Sequence, residues 1–93
     1  MYERILKQMR ERIRTRKYVM TFHTEEEMAD DNLSIFDIER VVLTGKIVKR
    51  QKDKSTKEWE YIVEGKIIST SMAVVVGKLS ITGKLVIITV YKI

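Results

Sequence analysis

The spacing of apolar residues changes near Gly45, from a helical period before it to an alternation of two after it. Residues 2–17 place apolar side chains three or four positions apart between arginines and lysines, which predicts an amphipathic helix packed on the domain or on a partner. Residues 18–23 alternate and favour a short extended segment. Whether this segment joins the main sheet stays open at this level.

Two short helices are predicted between the extended segment and Gly45. Thr24 and Glu27 have the spacing of a capping box, so the first of these helices is expected to begin at Thr24 and to end near Asn32. Ser34, with Asp37 three residues later, predicts the start of the second, and Gly45 predicts its end.

Strands are predicted from Lys46 onward. Trp59, Tyr61 and Val63 alternate with glutamates, as in a half-buried strand, and Gly65 indicates a bulge or a close approach of two backbones. The other predicted strands cover 46–52, 72–76 and 85–90, and the predicted turns lie at 53–57, 69–71 and 77–83. The fold class is therefore α+β, with N-terminal helices packed on a roughly four-stranded antiparallel meander sheet.

The 93 residues are expected to form a single domain of three parts. These are a basic amphipathic helix over 1–17, an extended segment plus two short helices over 18–45, and the antiparallel sheet over 46–93. The net charge is +5 over 1–17, −7 over 18–39 and +7 over 40–93. Such segregation suits the binding of a polyanion such as RNA, although solvated charged faces explain the same pattern.

The composition excludes several classes of protein. There is no cysteine, so disulfides and thiolate metal sites are absent. No apolar run reaches the roughly 20 residues of a membrane span, and the N-terminus does not resemble a signal peptide, so a cytoplasmic protein is expected. Glycine-rich phosphate loops, nucleophile elbows and dinucleotide fingerprints are missing, and no cofactor or metal is predicted.

His23 is the single histidine and lies where the extended segment meets a helix. Because the ordinary pKa of an imidazole lies near neutrality, His23 is the first candidate for proton transfer. A metal site formed with Glu27, Asp30 and Asp31 and a purely structural imidazole bonded to the backbone are the alternatives. On the predicted sheet, Lys49 and Arg50 could lie near tyrosines, as in a metal-independent ribonuclease, but such residues also serve packing and edge protection.

Several short motifs, in this order and spacing, resemble a bacterial family of small domains of unknown function. They are His23-Thr-Glu-Glu-Glu-Met28, Asp31-x-Leu33-Ser34-x-x-Asp37-Ile38-Glu39, Leu43-Thr-Gly45, Tyr61-x-x-x-Gly65 and Ile88-Thr-Val-Tyr91. The resemblance covers about 18–92. Members of this family are often encoded beside a zinc-finger protein of the YgiT (MqsA-like antitoxin) type, and the family distantly resembles RelE- and MqsR-like ribonuclease toxins.

The resemblance implies a toxin-like, RNA-directed and metal-independent ribonuclease domain that a YgiT-type antitoxin neutralises. It implies a common site for His23, Thr89 and Tyr91, with His23 as general acid or base and Tyr91 as a second proton donor or stacking platform. Arg50 would bind phosphate, with Lys49 and Tyr61 as helpers. A non-catalytic RNA- or protein-binding module of the same fold is the alternative.

Overall fold

The computed structural model describes residues 1–93 as three helices and a five-stranded sheet. The elements in chain order are α1 (Glu3–Arg14), β1 (Tyr18–Met20), α2 (Phe22–Asp30), α3 (Ile35–Thr44), β2 (Lys46–Lys52), β3 (Trp59–Lys66), β4 (Met72–Leu79) and β5 (Leu85–Lys92). The α+β class is confirmed. Helices of the first half pack on a sheet built mainly by the second half.

The sheet is mixed, with the strand order β1-β5-β4-β3-β2. Strands β2 to β5 form the expected antiparallel meander, but β1 adds to β5 in parallel, with Tyr18 opposite Leu85. The expectation of four antiparallel strands was therefore wrong by one strand. The three residues of β1 are too few for their alternation to indicate which strand they pair with, and the strand that they do pair with, β5, lies far along the sequence.

Helices α1 and α3 cover one face of this sheet, here called the helix face. Their buried residues Met9, Ile13 and Ile38 form one cluster with strand residues such as Val63 and Val75. The apolar side of α1 is thus buried in the domain itself. Of the two positions that the sequence left open for this helix, packing on the domain is the one observed.

The opposite face, here called the open face, carries a second and smaller apolar cluster. Ile62, Val74 and Val76 form it, and all three come from strands. Bulges at Val48 and Ile88, where the strand register shifts by one residue, set which neighbouring side chains point to each face. Each face therefore follows from register and not from simple counting along the strands.

The start of α3 is the best-predicted boundary. Ser34 accepts a hydrogen bond from the backbone N–H of Asp37 at 3.2 Å, and the Asp37 carboxylate accepts one from the backbone N–H of Ser34 at 2.9 Å, which completes a capping box. The second carboxylate oxygen of Asp37 accepts the N–H of Ile68 at 3.0 Å, so it also holds the β3–β4 turn.

The start of α2 differs from the prediction. Its N-cap is Thr21, whose side chain accepts the N–H of Thr24 at 3.1 Å, and the helix begins at Phe22. Thr24 is fully buried instead, and Glu27 reaches strand β5, so these two residues do not form a capping box. The spacing was correct for a cap, but tertiary contacts use both side chains elsewhere.

Gly45 and Gly65 allow α3 to pass against β3. A Cβ atom at Gly45 would lie 2.3 Å from the carbonyl oxygen of Glu64, and one at Gly65 would lie 3.0 Å from the Cα of Gly45. Gly45 therefore ends α3 as expected, with an extended backbone, and Gly65 marks a close approach and not a bulge. Arg10 of α1 donates to the carbonyl oxygens of Val42 and Gly45 and thereby caps the end of α3.

Candidate active site between helix α2 and strand β5

Helix α2 lies along the edge of β5 that β1 leaves free beyond Met20. Its polar side chains take the hydrogen bonds that another strand would otherwise make. Thr24 Oγ1 donates to the carbonyl oxygen of Ile87 at 2.9 Å, and Glu27 Oε1 accepts the N–H of Val90 at 3.1 Å. Further along, Asp31 Oδ2 accepts the N–H of Lys92 at 2.9 Å. The helix therefore runs parallel to β5 and satisfies its backbone.

Glu27 also connects the strand to His23. Its Oε1 accepts a second hydrogen bond from Thr89 Oγ1 at 2.5 Å, and its other oxygen, Oε2, lies 3.2 Å from His23 Nε2. His23 and Glu27 are four residues apart in α2 and therefore share one side of it. The structure thus brings together two of the expected site residues, His23 and Thr89, through a carboxylate that was first interpreted as part of a cap.

The His23 imidazole is open to solvent, whereas the carboxylate behind it is not. The side chain of His23 is 67% exposed and that of Glu27 only 25%. A carboxylate anchored by two donors and 3.2 Å from Nε2 favours the tautomer that carries the imidazole proton on that nitrogen. Nδ1 is then free to accept a proton from a bound molecule, which is the arrangement of an oriented general base.

The first turn of α2 adds groups that the sequence did not single out. The backbone N–H groups of Phe22 and His23 have no partner inside the helix, since the first four amides of any α-helix lack one. The Phe22 ring is 76% exposed. An exposed aromatic residue directly before His23 was visible in the sequence, but the alternating pattern assigned it to a strand.

Tyr91 lies at the other end of α2. It is 45% exposed and lines a shallow pocket of about 220 Å³ together with Glu27, Asp30, Asp31 and Val90. The helix rise between His23 and Asp30 is about 10 Å, so His23 and Tyr91 face different parts of this edge. Glu27 is the residue that both neighbourhoods share.

The expected substrate-binding residues are divided between the two faces of the sheet. Lys49, Ile62, Val76 and Thr89 are successive register partners and form one row across the open face. Three strand spacings place Lys49 about 14 Å from Thr89.

Arg50 and Tyr61 belong to the helix face. Arg50 stacks 3.8 Å from the centroid of the Trp59 ring, and Tyr61 is 8% exposed within the core, edge-on to Tyr2. The structure therefore does not bring Arg50 and Tyr61 to the His23 neighbourhood. Alternation alone places Lys49 and Arg50 on opposite faces, and the bulge at Val48 determines that Arg50 is the one on the helix face.

A metal site at the acidic residues of α2 is one alternative that the sequence leaves open. The structure groups no three His, Asp or Glu side chains as they would surround a metal ion. Glu27 Oε1 and Asp31 Oδ2 instead accept hydrogen bonds from backbone amides of β5. None of the three helices is long and apolar enough to span a membrane.

The sequence also matches a known protein family. The family model for the domain of unknown function DUF4258 matches residues 20–92. The chain belongs to the DUF4258 family. The matched range begins at the end of β1 and includes α2 and β5, so the His23–Glu27 pair and its anchor lie within the DUF4258 domain, while α1 precedes it. Neither the curated proteins nor the solved structures contain a significant match.

Proposed function

We propose that this DUF4258 domain is a toxin-like, RNA-directed and metal-independent ribonuclease whose reacting group is His23. The observation that carries the proposal is the exposed imidazole of His23 at 3.2 Å from a Glu27 carboxylate that Thr89 and Val90 hold in place. An acid–base residue needs solvent access and an orienting partner, and this pair has both.

The proposed reaction is an internal transesterification of RNA. His23 Nδ1 accepts the proton of a ribose 2′-hydroxyl, whose oxygen then attacks the adjacent phosphorus. The bond from phosphorus to the 5′-oxygen breaks, and that oxygen takes a proton from water. The products are a 2′,3′-cyclic phosphate and a 5′-hydroxyl end. The Glu27 carboxylate stabilises the imidazolium that forms on His23 during this step.

Other residues of the same edge would position the RNA. The free amides at the start of α2 favour a phosphate, and the exposed Phe22 ring offers a surface for a base. Tyr91 lines a pocket with Asp30, which lies about 10 Å along the helix from His23, so Tyr91 suits the stacking of a neighbouring base better than proton donation at the same phosphate. Lys49 on the open face would contact a phosphate further along the RNA chain.

Cleavage of total cellular RNA by the purified protein, in excess chelator, tests this proposal. We expect His23→Ala to abolish cleavage and Glu27→Gln to lower it about tenfold to a hundredfold, the range typical of an orienting partner. Tyr91→Phe should retain most activity and Tyr91→Ala should lose it, because a stacking role needs the ring and not the hydroxyl. His23→Asn with folding intact by circular dichroism is the matched control for charge and shape.

Cleavage that persists in the His23 variants would overturn the assignment. Products ending in a 3′-phosphate without a cyclic intermediate, detected by mass spectrometry, would overturn the transesterification. RNA that stays intact in all samples would overturn the ribonuclease proposal and favour the second candidate function, a non-catalytic binding module.

That candidate is a non-catalytic RNA- or protein-binding module, and the pocket around Tyr91 favours its protein-binding form. Glu27, Asp30 and Asp31 surround the exposed tyrosine with carboxylates, which repel phosphates and attract a basic protein segment. Saturable binding of a protein that Tyr91→Ala abolishes, with no RNA cleavage, would support it. In either form, a YgiT-type zinc-finger antitoxin is the partner that we propose for the domain.

A further inference from the structure

Strand β2 ends the sheet and exposes a full edge of backbone groups. It is seven residues long, pairs only with β3, and makes no other backbone hydrogen bonds along its length. At the other end of the sheet the edge strand β1 is only three residues long, and α2 satisfies the part of β5 that β1 does not pair. An unpaired edge of this length is where an added strand can form a regular ladder.

The side chains of this edge are strongly basic. Residues 46–57 contain six lysines and arginines and a single acid, Asp53. The three ion pairs of the molecule involve none of the four cations of β2. Asp53 offsets one of these six charges at most, and its carboxylate accepts hydrogen bonds from Ser55 and Thr56 in the following turn and forms no ion pair with β2. A second copy of this strand would bring like charges together, which disfavours self-pairing.

Two apolar pockets lie beside β2 on the helix face. One, of about 330 Å³, is lined by Ile47 at the start of the strand together with Met1, Tyr2 and Leu6 of the N-terminal helix region.

The other pocket, of about 310 Å³, is lined by Trp59, opposite the end of β2, together with Ile5, Leu79 and Ile81. Trp59 is 38% exposed, and Arg50 and Lys52 lie over its ring. An added strand would present alternate side chains toward these pockets and toward Lys46 and Lys49 on the open face.

We propose that the outer edge of β2 binds an extended segment of a protein partner, in which acidic residues alternate with apolar ones. The apolar side chains would enter the two pockets, and the acidic ones would pair with Lys46 and Lys49 across the new ladder. RNA would meet the charges, but it has no strand backbone to pair with β2 and no row of apolar groups for the pockets. This inference does not rest on the ribonuclease proposal, because it uses no residue of the His23 neighbourhood and shares only Lys49 with the proposed RNA contacts.

Backbone amide NMR of the full chain, titrated with a blocked peptide of about eight residues that alternates Glu with Val, tests the proposal. We expect shift changes concentrated at 46–52 and slower hydrogen exchange of the outward amides of this strand. A peptide that alternates Lys with Val should bind at least about tenfold more weakly, since each interface charge is then reversed. A third peptide, N-methylated along one edge only, should bind when its free edge can pair with β2, and methylation along both edges should abolish binding.

Charge-reversal variants complete the design. Lys49→Glu should weaken binding of the acidic peptide about tenfold, whereas Lys7→Glu on the exposed side of α1 should leave it unchanged. Equal weakening by both variants, or binding that survives methylation of both edges, would overturn strand addition. Shifts at 46–52 with a single-stranded RNA oligonucleotide but not with the acidic peptide would also overturn it and assign the edge to nucleic acid.

Discussion

Thr24 Oγ1 donates a hydrogen bond to the carbonyl oxygen of Ile87 at 2.9 Å, although Thr24 belongs to a helix and Ile87 to the strand beside it. Thr24 is fully buried. One hydroxyl thus joins α2 to β5 in a place where water cannot replace it. The position of the whole His23 helix depends on this contact together with the carboxylate contacts further along.

Replacing Thr24 with Val should therefore cost more stability than a surface change. The valine keeps the shape but removes the hydroxyl, while the Ile87 carbonyl keeps the backbone N–H of Thr21 at 3.1 Å. We therefore expect a loss of about 0.5–1.5 kcal/mol in the free energy of unfolding, the usual net value of one hydrogen bond. Urea unfolding followed by circular dichroism measures this loss. Thr24→Ser retains the hydroxyl and should lose clearly less, so equal losses for the two variants would mean that packing and not the hydrogen bond matters here.

The Asp37 carboxylate should make the free energy of unfolding depend on pH in the acidic range. Burial raises the pKa of its carboxyl, but hydrogen bonds from Ser34 and Ile68, with the nearby charge of Lys92, outweigh burial and lower the pKa overall. Because the folded-state pKa lies below the unfolded value of 3.8, the contribution is complete above that pH and is lost as the pH falls through the folded-state pKa.

Asp37→Asn tests this relationship. The amide cannot accept the N–H of Ser34 and that of Ile68 as the carboxylate does, so we expect a loss of about 0.5–2 kcal/mol at neutral pH, the range for a helix cap. The difference between the two proteins should shrink in urea titrations carried out at successively lower pH. A difference that stays constant down to strong acid would show that the carboxylate charge has no part in it.

Tyr18 should ionise only well above its ordinary pKa of 10.0. Burial, followed by its hydrogen bond to Glu39, raises its pKa from 10.0 to about 12. Stability linked to this group is complete below pH 10 and is lost as the pH rises toward 12, since the unfolded chain ionises first. Ultraviolet absorbance should show one late tyrosinate step, and Tyr18→Phe should remove it. A late step that persists in this variant would assign it to another tyrosine.

Gly45 and Gly83 should respond differently to alanine. At Gly45 the new Cβ would lie 2.3 Å from a backbone oxygen of Glu64, so α3 and β3 must separate, and we expect a loss above about 3 kcal/mol, which is exceptional for one methyl group. At Gly83 nothing lies within 4 Å, and the cost arises only from its φ of +85°, about 1–2 kcal/mol. Thermal unfolding of the two variants compares them directly, and a smaller loss at Gly45 would contradict the close contact.

Elements with local signals were predictable from the sequence. The Ser34–Asp37 box fixed the start of α3, and the period of two located β2 to β5, because both depend on residues close in the chain. The parallel pairing of β1 was not predictable, since its partner lies 67 residues further on, as between Tyr18 and Leu85. A separation of 62 residues likewise hides the anchor of Glu27 on Thr89.

The candidate site was predicted in part. His23 could be selected because it is a single histidine at a junction, and its spacing to Glu27 was visible as a possible pair on one helix side. Lys49 and Arg50 point to opposite faces by ordinary strand alternation, but which of them shares the face of Thr89 depends on a bulge at Val48 that no residue type marks. Phe22 was assigned to a strand, so its exposed place in the first turn of α2 was missed.

The parallel pairing of the first strand with the last has a consequence for synthesis on the ribosome. Strand β5 must leave the exit tunnel before β1 has a partner or α2 has an edge to rest on. Contacts that join distant parts of a chain form late and slowly. A growing chain can pair β2, β3 and β4 as they emerge. His23 and Glu27 are then already synthesised, but Thr89 and Val90, which hold Glu27, are not yet available. The candidate site is thus the last part of this domain to assemble, because it needs β5 to have been translated.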